Sequence, residues 1–180
     1  MARPKLATVW LDGCSGCHMS LLDIDERLLT LAERADIVYS PLVDAKVFPD
    51  DVDIALVEGA VSTDEDLKRI EMVRSRSRIV VAFGDCALTT NVPGMRNLFD
   101  GDSAAPLYQR AYIENVSIDP HLPTRNVPHH LPRTLPVHKV VHVDVFLPGC
   151  PPSADQIFDA LVALLDGKDP VLASNVHFGG

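Results

Sequence analysis

Apolar residues fall in short runs that alternate with stretches of helical spacing along most of the chain. KLATVW at 5–10 reads as a short buried strand. Ser20 then predicts the start of a helix. Ser20 and Asp23 have the S-x-x-D spacing of a capping box, and Leu21, Ile24, Leu28, Leu31 and Ala35 follow on one face. DIVYSP at 36–41 predicts a second strand, ended by Pro41, and DIALVEG at 53–59 a third. STDEDLKRIEMVRSRS at 62–77 predicts a second helix, with acids in its first turn and bases in its last, as the helix dipole favours. RIVVAFGDC at 78–86 and VVHVDVFLPGC at 140–150 predict two more strands, running into Cys86 and Cys150. SADQIFDALVALLDG at 153–167 predicts a last helix, capped by Ser153 and stopped by Gly167.

Strands alternating with helices imply right-handed crossovers and a mostly parallel sheet. The expected fold is α/β, with helices on both faces of the sheet; if its order is flavodoxin-like, strands one, three, four and five sit side by side. Its 180 residues, 47% of them hydrophobic, suit a single domain over 1–180. Residues 91–139 interrupt the pattern. Prolines at 120, 123, 128, 132 and 136 argue against regular helix or central strand there. The expectation is a long irregular excursion over the surface or onto a partner.

Charge narrows the function classes. A net charge of −9 speaks against nucleic acid, whose phosphates require clustered Lys and Arg. No apolar run approaches the roughly 18 residues of a membrane span. The N-terminal MARPKLATVWLDG has neither a long apolar core nor a twin arginine. A cytoplasmic protein without membrane contact is expected.

In a reducing compartment, the four cysteines are candidates for metal ligands or reactive thiols. Cys14 and Cys17 follow the first strand, Cys86 the fourth and Cys150 the fifth, and Glu58 ends the third. All lie at carboxyl ends of strands, the edge where open α/β sheets bind ligands. Cysteines from three loops could thus converge on one object. Gly13, Gly16, Gly84 and Gly149 precede them, which lets backbone approach closely and aim N–H groups at an anion. Pro151 and Pro152 stiffen the turn after Cys150.

Three chemistries stay open on these residues: a redox disulfide, structural zinc and an iron–sulfur cluster. A thioredoxin-type pair needs no third cysteine, and zinc usually arrives on two short-spaced pairs, whereas here the spacing is C-x2-C-x68-C-x63-C. His18, beside Cys17, is a candidate to hydrogen-bond a cluster or to shape its potential. His121, His129, His130, His138 and His142 lack a tight ligand pattern and read as solvated or core side chains. Glu58 is a candidate interface or proton-relay residue, with a general cap or an ordinary salt bridge as the alternative.

The motifs DGCSGC (12–17), LVEG (56–59), FGDC with VPGMRN (83–97) and LPGCPP (147–152) together resemble the small, electron-transfer subunit of [NiFe] hydrogenases. The resemblance spans most of the chain and implies one [4Fe-4S] cluster on Cys14, Cys17, Cys86 and Cys150. It implies a large partner subunit holding the NiFe centre, and places Glu58 near that interface. Many members carry further cysteines in a C-terminal domain and an export signal. Their absence here makes the chain most similar to the soluble, cytoplasmic, NAD-reducing bidirectional group. There, diaphorase subunits with FMN and further Fe-S clusters carry electrons to NAD. Met19 stands where many relatives have glutamate. A related family, the cluster-bearing subunit of complex I, has adjacent cysteines where this chain has CSGC.

Overall fold

A computed structural model describes residues 3–170. Its core is a five-stranded parallel sheet formed by β1 (Lys5–Trp10), β2 (Asp36–Tyr39), β3 (Val52–Glu58), β5 (Ser77–Phe83) and β7 (Val145–Leu147), in the order β2-β1-β3-β5-β7. Counting only these five strands, the order is 2-1-3-4-5, that of flavodoxin-like sheets. The register brings Trp10 opposite Glu58, Glu58 opposite Phe83 and Phe83 opposite Leu147. Four strands therefore end on one row, and their following loops leave from a common edge.

Side chains alternate across the sheet with period two, so each strand feeds two cores. Leu6, Ile54, Leu56, Val81, Phe83 and Leu147 pack on one face against Leu21, Leu31, Ile157, Leu161 and Leu164. The last five come from α1 (Gly16–Leu22), α2 (Arg27–Arg34) and α6 (Ala154–Leu165). Ala7, Val9, Ala55, Val57, Val80 and Ala82 pack on the other against Ile70 and Val73 of α3 (Asp64–Arg76) and Ala87 of α4 (Asp85–Thr89).

Several boundaries depart from the sequence expectation, each for a local reason. The first helix starts at Gly16, and the Ser20–Asp23 capping box does not form. Ser20 is buried and its hydroxyl donates to the Pro152 carbonyl at 2.5 Å, a tertiary partner that replaces the local one. The apolar run to Ala35 is split into α1 and α2 by a turn in which Asp25 has φ 55. The second helix begins at Asp64, capped by Thr63 and not Ser62. The Thr63 hydroxyl accepts the Asp66 amide while the Asp66 carboxylate accepts the Thr63 amide. Ser153 caps α6 with Gln156 in the same reciprocal way. The fifth sheet strand shrinks from 140–150 to Val145–Leu147, because Val137–Lys139 forms a 3-10 turn and the chain joins the sheet only afterwards.

The excursion contains more structure than its prolines suggest. β6 (His130–Leu135) pairs antiparallel with β4 (Val61–Thr63) in a separate two-stranded ribbon. Such a ribbon consists only of edges, so Pro132 leaves no central ladder bond unmade. A 3-10 turn at Pro93–Leu98 carries Arg96 inward. Its Nη1 donates to Ser103 Oγ at 2.6 Å and the Leu131 carbonyl at 3.0 Å, and its Nη2 to the Ser62 carbonyl at 3.3 Å. Asn97 exchanges two 2.8 Å hydrogen bonds with the backbone of Thr134. Beyond α5 (Ala105–Tyr108), residues 109–129 are almost wholly exposed.

Candidate metal centre

The chain reverses direction at the end of β1 through Leu11 and Asp12, whose amides donate to the carbonyls of Glu58 and Ala60. The loop then rises through Gly13 to Cys14 and Ser15, which has φ 68, and enters α1 at Gly16. Cys17 is thereby turned inward and buried, while Cys14 stays exposed. Gly16 packs 3.2 Å from the Cys14 sulfur, measured from the Cβ position a side chain would take, and Gly13 packs against Gly59.

Gly84 ends β5 with φ 81, and a Cβ there would lie 2.1 Å from the Cys17 sulfur. Only glycine leaves that volume to the thiol. Asp85 and Gly149 join the two later loops reciprocally. The Asp85 amide donates to the Gly149 carbonyl at 2.9 Å, and its carboxylate accepts the Gly149 amide at 2.9 Å. Gly149 has φ 140 and lies against Pro152, next to the cis Cys150–Pro151 peptide. Cys86 is buried and Cys150 exposed.

The thiols interact. Burial, then the Glu58 carboxylate, then Cys86, Cys14 and Cys150 push the Cys17 thiol far above the ordinary thiol range. Cys86 is pushed up to about 11 by burial, then by Cys14, Cys150 and Glu58, against a lowering hydrogen bond from the Val92 backbone. Thiols that oppose one another's ionisation are relieved by a shared cationic centre, so the donor set fits a metal group. Among the described residues, no three His, Cys, Asp or Glu side chains converge on a point able to hold a single ion. Asn91 Nδ2 donates to the Cys150 sulfur at 3.2 Å. A donor so placed tunes the potential of an anionic sulfur cluster.

Glu58 is buried at 1% exposure. Its carboxylate accepts the amide hydrogens of Cys17 at 3.4 Å and His18 at 3.0 Å, and pairs with His18 Nδ1. The other ring nitrogen of His18 meets Thr8 Oγ1 at 3.0 Å. Both nitrogens are occupied within the chain, which corrects the reading of His18 as a donor to the cluster. His121, His129, His130, His138 and His142 are exposed. Asn91, Asp85, Thr8 and Arg96 are the participants that sequence reasoning missed. Asp85 inside FGDC and Arg96 inside VPGMRN carried a signal, while Asn91 and Thr8 carried none.

No described helix is long and apolar enough to cross a membrane. Residues 14–164 match the family model described as NADH ubiquinone oxidoreductase, 20 Kd subunit. A chain of the F420-non-reducing hydrogenase of Methanothermobacter marburgensis is 38% identical, over 94% of this chain and 56% of its own length. The present chain thus spans little more than half of that relative. The NAD-reducing hydrogenase HoxS subunit delta of Cupriavidus necator is 38% identical, over 96% of this chain and 84% of its own length. A crystal structure of an NAD+-reducing [NiFe]-hydrogenase in the H2-reduced state contains a chain with a TM-score of 0.91 and 36% identity, covering 98% of each.

Proposed function

The chain belongs to the 20 kDa subunit family that includes these hydrogenase subunits, and from that premise we propose that it is the small subunit of a cytoplasmic, NAD-linked [NiFe] hydrogenase. In this reading Cys14, Cys17, Cys86 and Cys150 hold one [4Fe-4S] cluster. It relays electrons between the NiFe centre of a large subunit and a diaphorase module carrying FMN and further Fe-S clusters. The observation that supports the proposal is that Cys14, Cys17, Cys86 and Cys150 follow strands whose carboxyl ends share one row, with Asn91 donating to the Cys150 sulfur.

When bound, such a cluster supplies one-electron storage. The chain's own residues do the rest. Gly84 yields space to the Cys17 thiolate, the Asp85–Gly149 exchange fixes the two later loops, and Asn91 and Val92 direct N–H groups at sulfur, which raises a cluster's potential. In this reading hydrogen cleavage is assigned to the large subunit, and the chain alone is expected to be inactive. The subunit reading also draws on an exposed apolar groove of Val92, Met95, Leu98, Phe99 and Leu107 beside the Cys86 loop. Leu98 is 86% exposed, which is costly unless covered.

Anaerobic purification with companion subunits tests the proposal. About four iron and four acid-labile sulfide per chain are expected, with nickel in a larger companion. One zinc per chain without sulfide would overturn it. A complex I-like role is the second reading, favoured by the description of the family model. It requires quinone-dependent activity and no nickel, and the separated CSGC pair weighs against it.

A further inference from the structure

A continuous chain of buried polar side chains runs inward from the CxxC turn beneath α1. Glu58 receives two amides of that turn and the His18 ring, His18 meets Thr8, and the Thr8 hydroxyl donates to Ser40 Oγ at 2.8 Å. Ser40 Oγ also accepts the Leu42 amide at 3.2 Å. His18 is 2% exposed, Thr8 2% and Ser40 5%. The imidazole is wedged between Trp10 and Phe83, with ring centroids 6.2 and 6.1 Å away. This line of four polar groups occupies a face otherwise packed with Leu, Ile and Phe. A buried polar group is tolerated only when its hydrogen bonds are made, and here every ring and carboxylate contact is made within the chain.

The Thr8 hydroxyl donates to Ser40, so toward the His18 ring it is an acceptor, while His18 Nδ1 pairs with the Glu58 carboxylate. Ser15, the residue before α1, makes no side-chain cap, so Glu58, from a strand 40 residues away, does that work for the amides of Cys17 and His18.

Resting on the cluster reading above, we propose that Glu58 and His18 are positioning residues for the CxxC ligands. Glu58 fixes the turn that presents Cys17. His18, held on Thr8, orients that carboxylate and cancels its charge beside an anionic site. The opposed charges give the proposal a signature that simple loosening of the fold lacks. Glu58→Gln keeps an acceptor for the amides but removes the negative charge. His18→Leu leaves the carboxylate uncompensated.

The test uses the complex purified anaerobically, with iron and sulfide analysis and an EPR-monitored redox titration of each variant. Glu58→Gln is expected to retain the cluster and shift its midpoint potential upward. His18→Leu is expected to shift it downward, and Glu58→Ala to lose at least half of the iron and sulfide. Ser77→Ala, buried at the start of β5 and so at the opposite end of that strand from Gly84 and Cys86, serves as the control. Shifts of Glu58→Gln and His18→Leu in the same direction, or no shift in either with full iron content, would overturn the proposal. Should Glu58→Ala not fold, the other two variants decide alone. A wild-type complex without iron or sulfide would instead refute the cluster reading beneath it.

Discussion

At the cysteine edge, short loops are tied to each other through backbone groups, whereas residues 91–139, apart from the β4–β6 ribbon, lean on a few side chains. Gly84, Asp85, Gly149 and Glu58 bind the edge with contacts in which the backbone itself is donor or acceptor. The inner excursion hangs on Arg96, Asn97 and Ser103. Arg96 is 8% exposed, its guanidinium donates to a hydroxyl and two carbonyls, and its Nε makes no hydrogen bond. Burial lowers its pKa, offset in part by the fields of Asp12 and Asp102. A backbone-held loop keeps its geometry through many side-chain changes, but a clash with the backbone is fatal to it. A side-chain-held loop can come loose as a unit through one truncation.

The contrast breaks first at the thiols. Cys86→Ala or Cys150→Ala is expected to remove most iron and sulfide and abolish hydrogen-dependent NAD reduction by the complex. Full retention of both would sink the ligand assignment. Gly84→Ala puts a methyl group on the Cys17 sulfur and should cost at least half of the bound iron. Gly101→Ala, also at positive φ but with nothing within 4 Å, should cost only backbone strain of about 1 kcal/mol, with iron unchanged. Equal iron loss in the two glycine variants, read by colorimetric iron assay, would erase the distinction between the regions.

Arg96→Ala strands the Ser62 and Leu131 carbonyls and should cost roughly 2–4 kcal/mol in thermal or chemical unfolding. Cleavage in limited proteolysis should concentrate within 91–139 while the cluster stays in place. Leu98→Asp lies on the exposed groove, so it should change stability by no more than about 0.5 kcal/mol. It should reduce co-purification of the companion subunits, read by pull-down on this chain. An unchanged pull-down would free that groove from the interface.

The smallest effect concerns Asp144, just before β7. Burial pushes its carboxyl up, but the Val80 amide and the Arg74 guanidinium outweigh burial and hold it below the usual carboxylate range. A lowered folded-state value contributes stability above the ordinary carboxyl range, and that contribution is lost as pH falls through the folded value. Asp144→Asn should therefore cost about 1 kcal/mol at neutral pH, and the gap to wild type should close in acid. A gap independent of pH in urea titrations would show that the charge contributes nothing.

Legibility followed the range of the interactions. Alternating elements could be read because period-two and helical apolar patterns are local. The cysteines could be placed on one edge because each follows a strand. Ser20 misled because its partner is the Pro152 carbonyl, 132 residues away. β4 and β6 were missed because three residues carry no periodicity and Pro132 argues against a strand. Arg96 reads as a surface charge until Ser62, Ser103 and Leu131 are seen around it.

By itself, the order of residues determined the α/β alternation, the two apolar faces and the placing of Cys14, Cys17, Cys86 and Cys150 after parallel strands, since these depend on short-range periodicity and chain direction. Tertiary structure alone decided that Glu58 and His18 face each other beneath Cys17, that Gly84 lies against the Cys17 sulfur, and that Arg96 moors the excursion. Those contacts join elements that the sequence keeps apart. Only the register of the strands, set by side-chain packing across the sheet, brings them within a hydrogen bond's length.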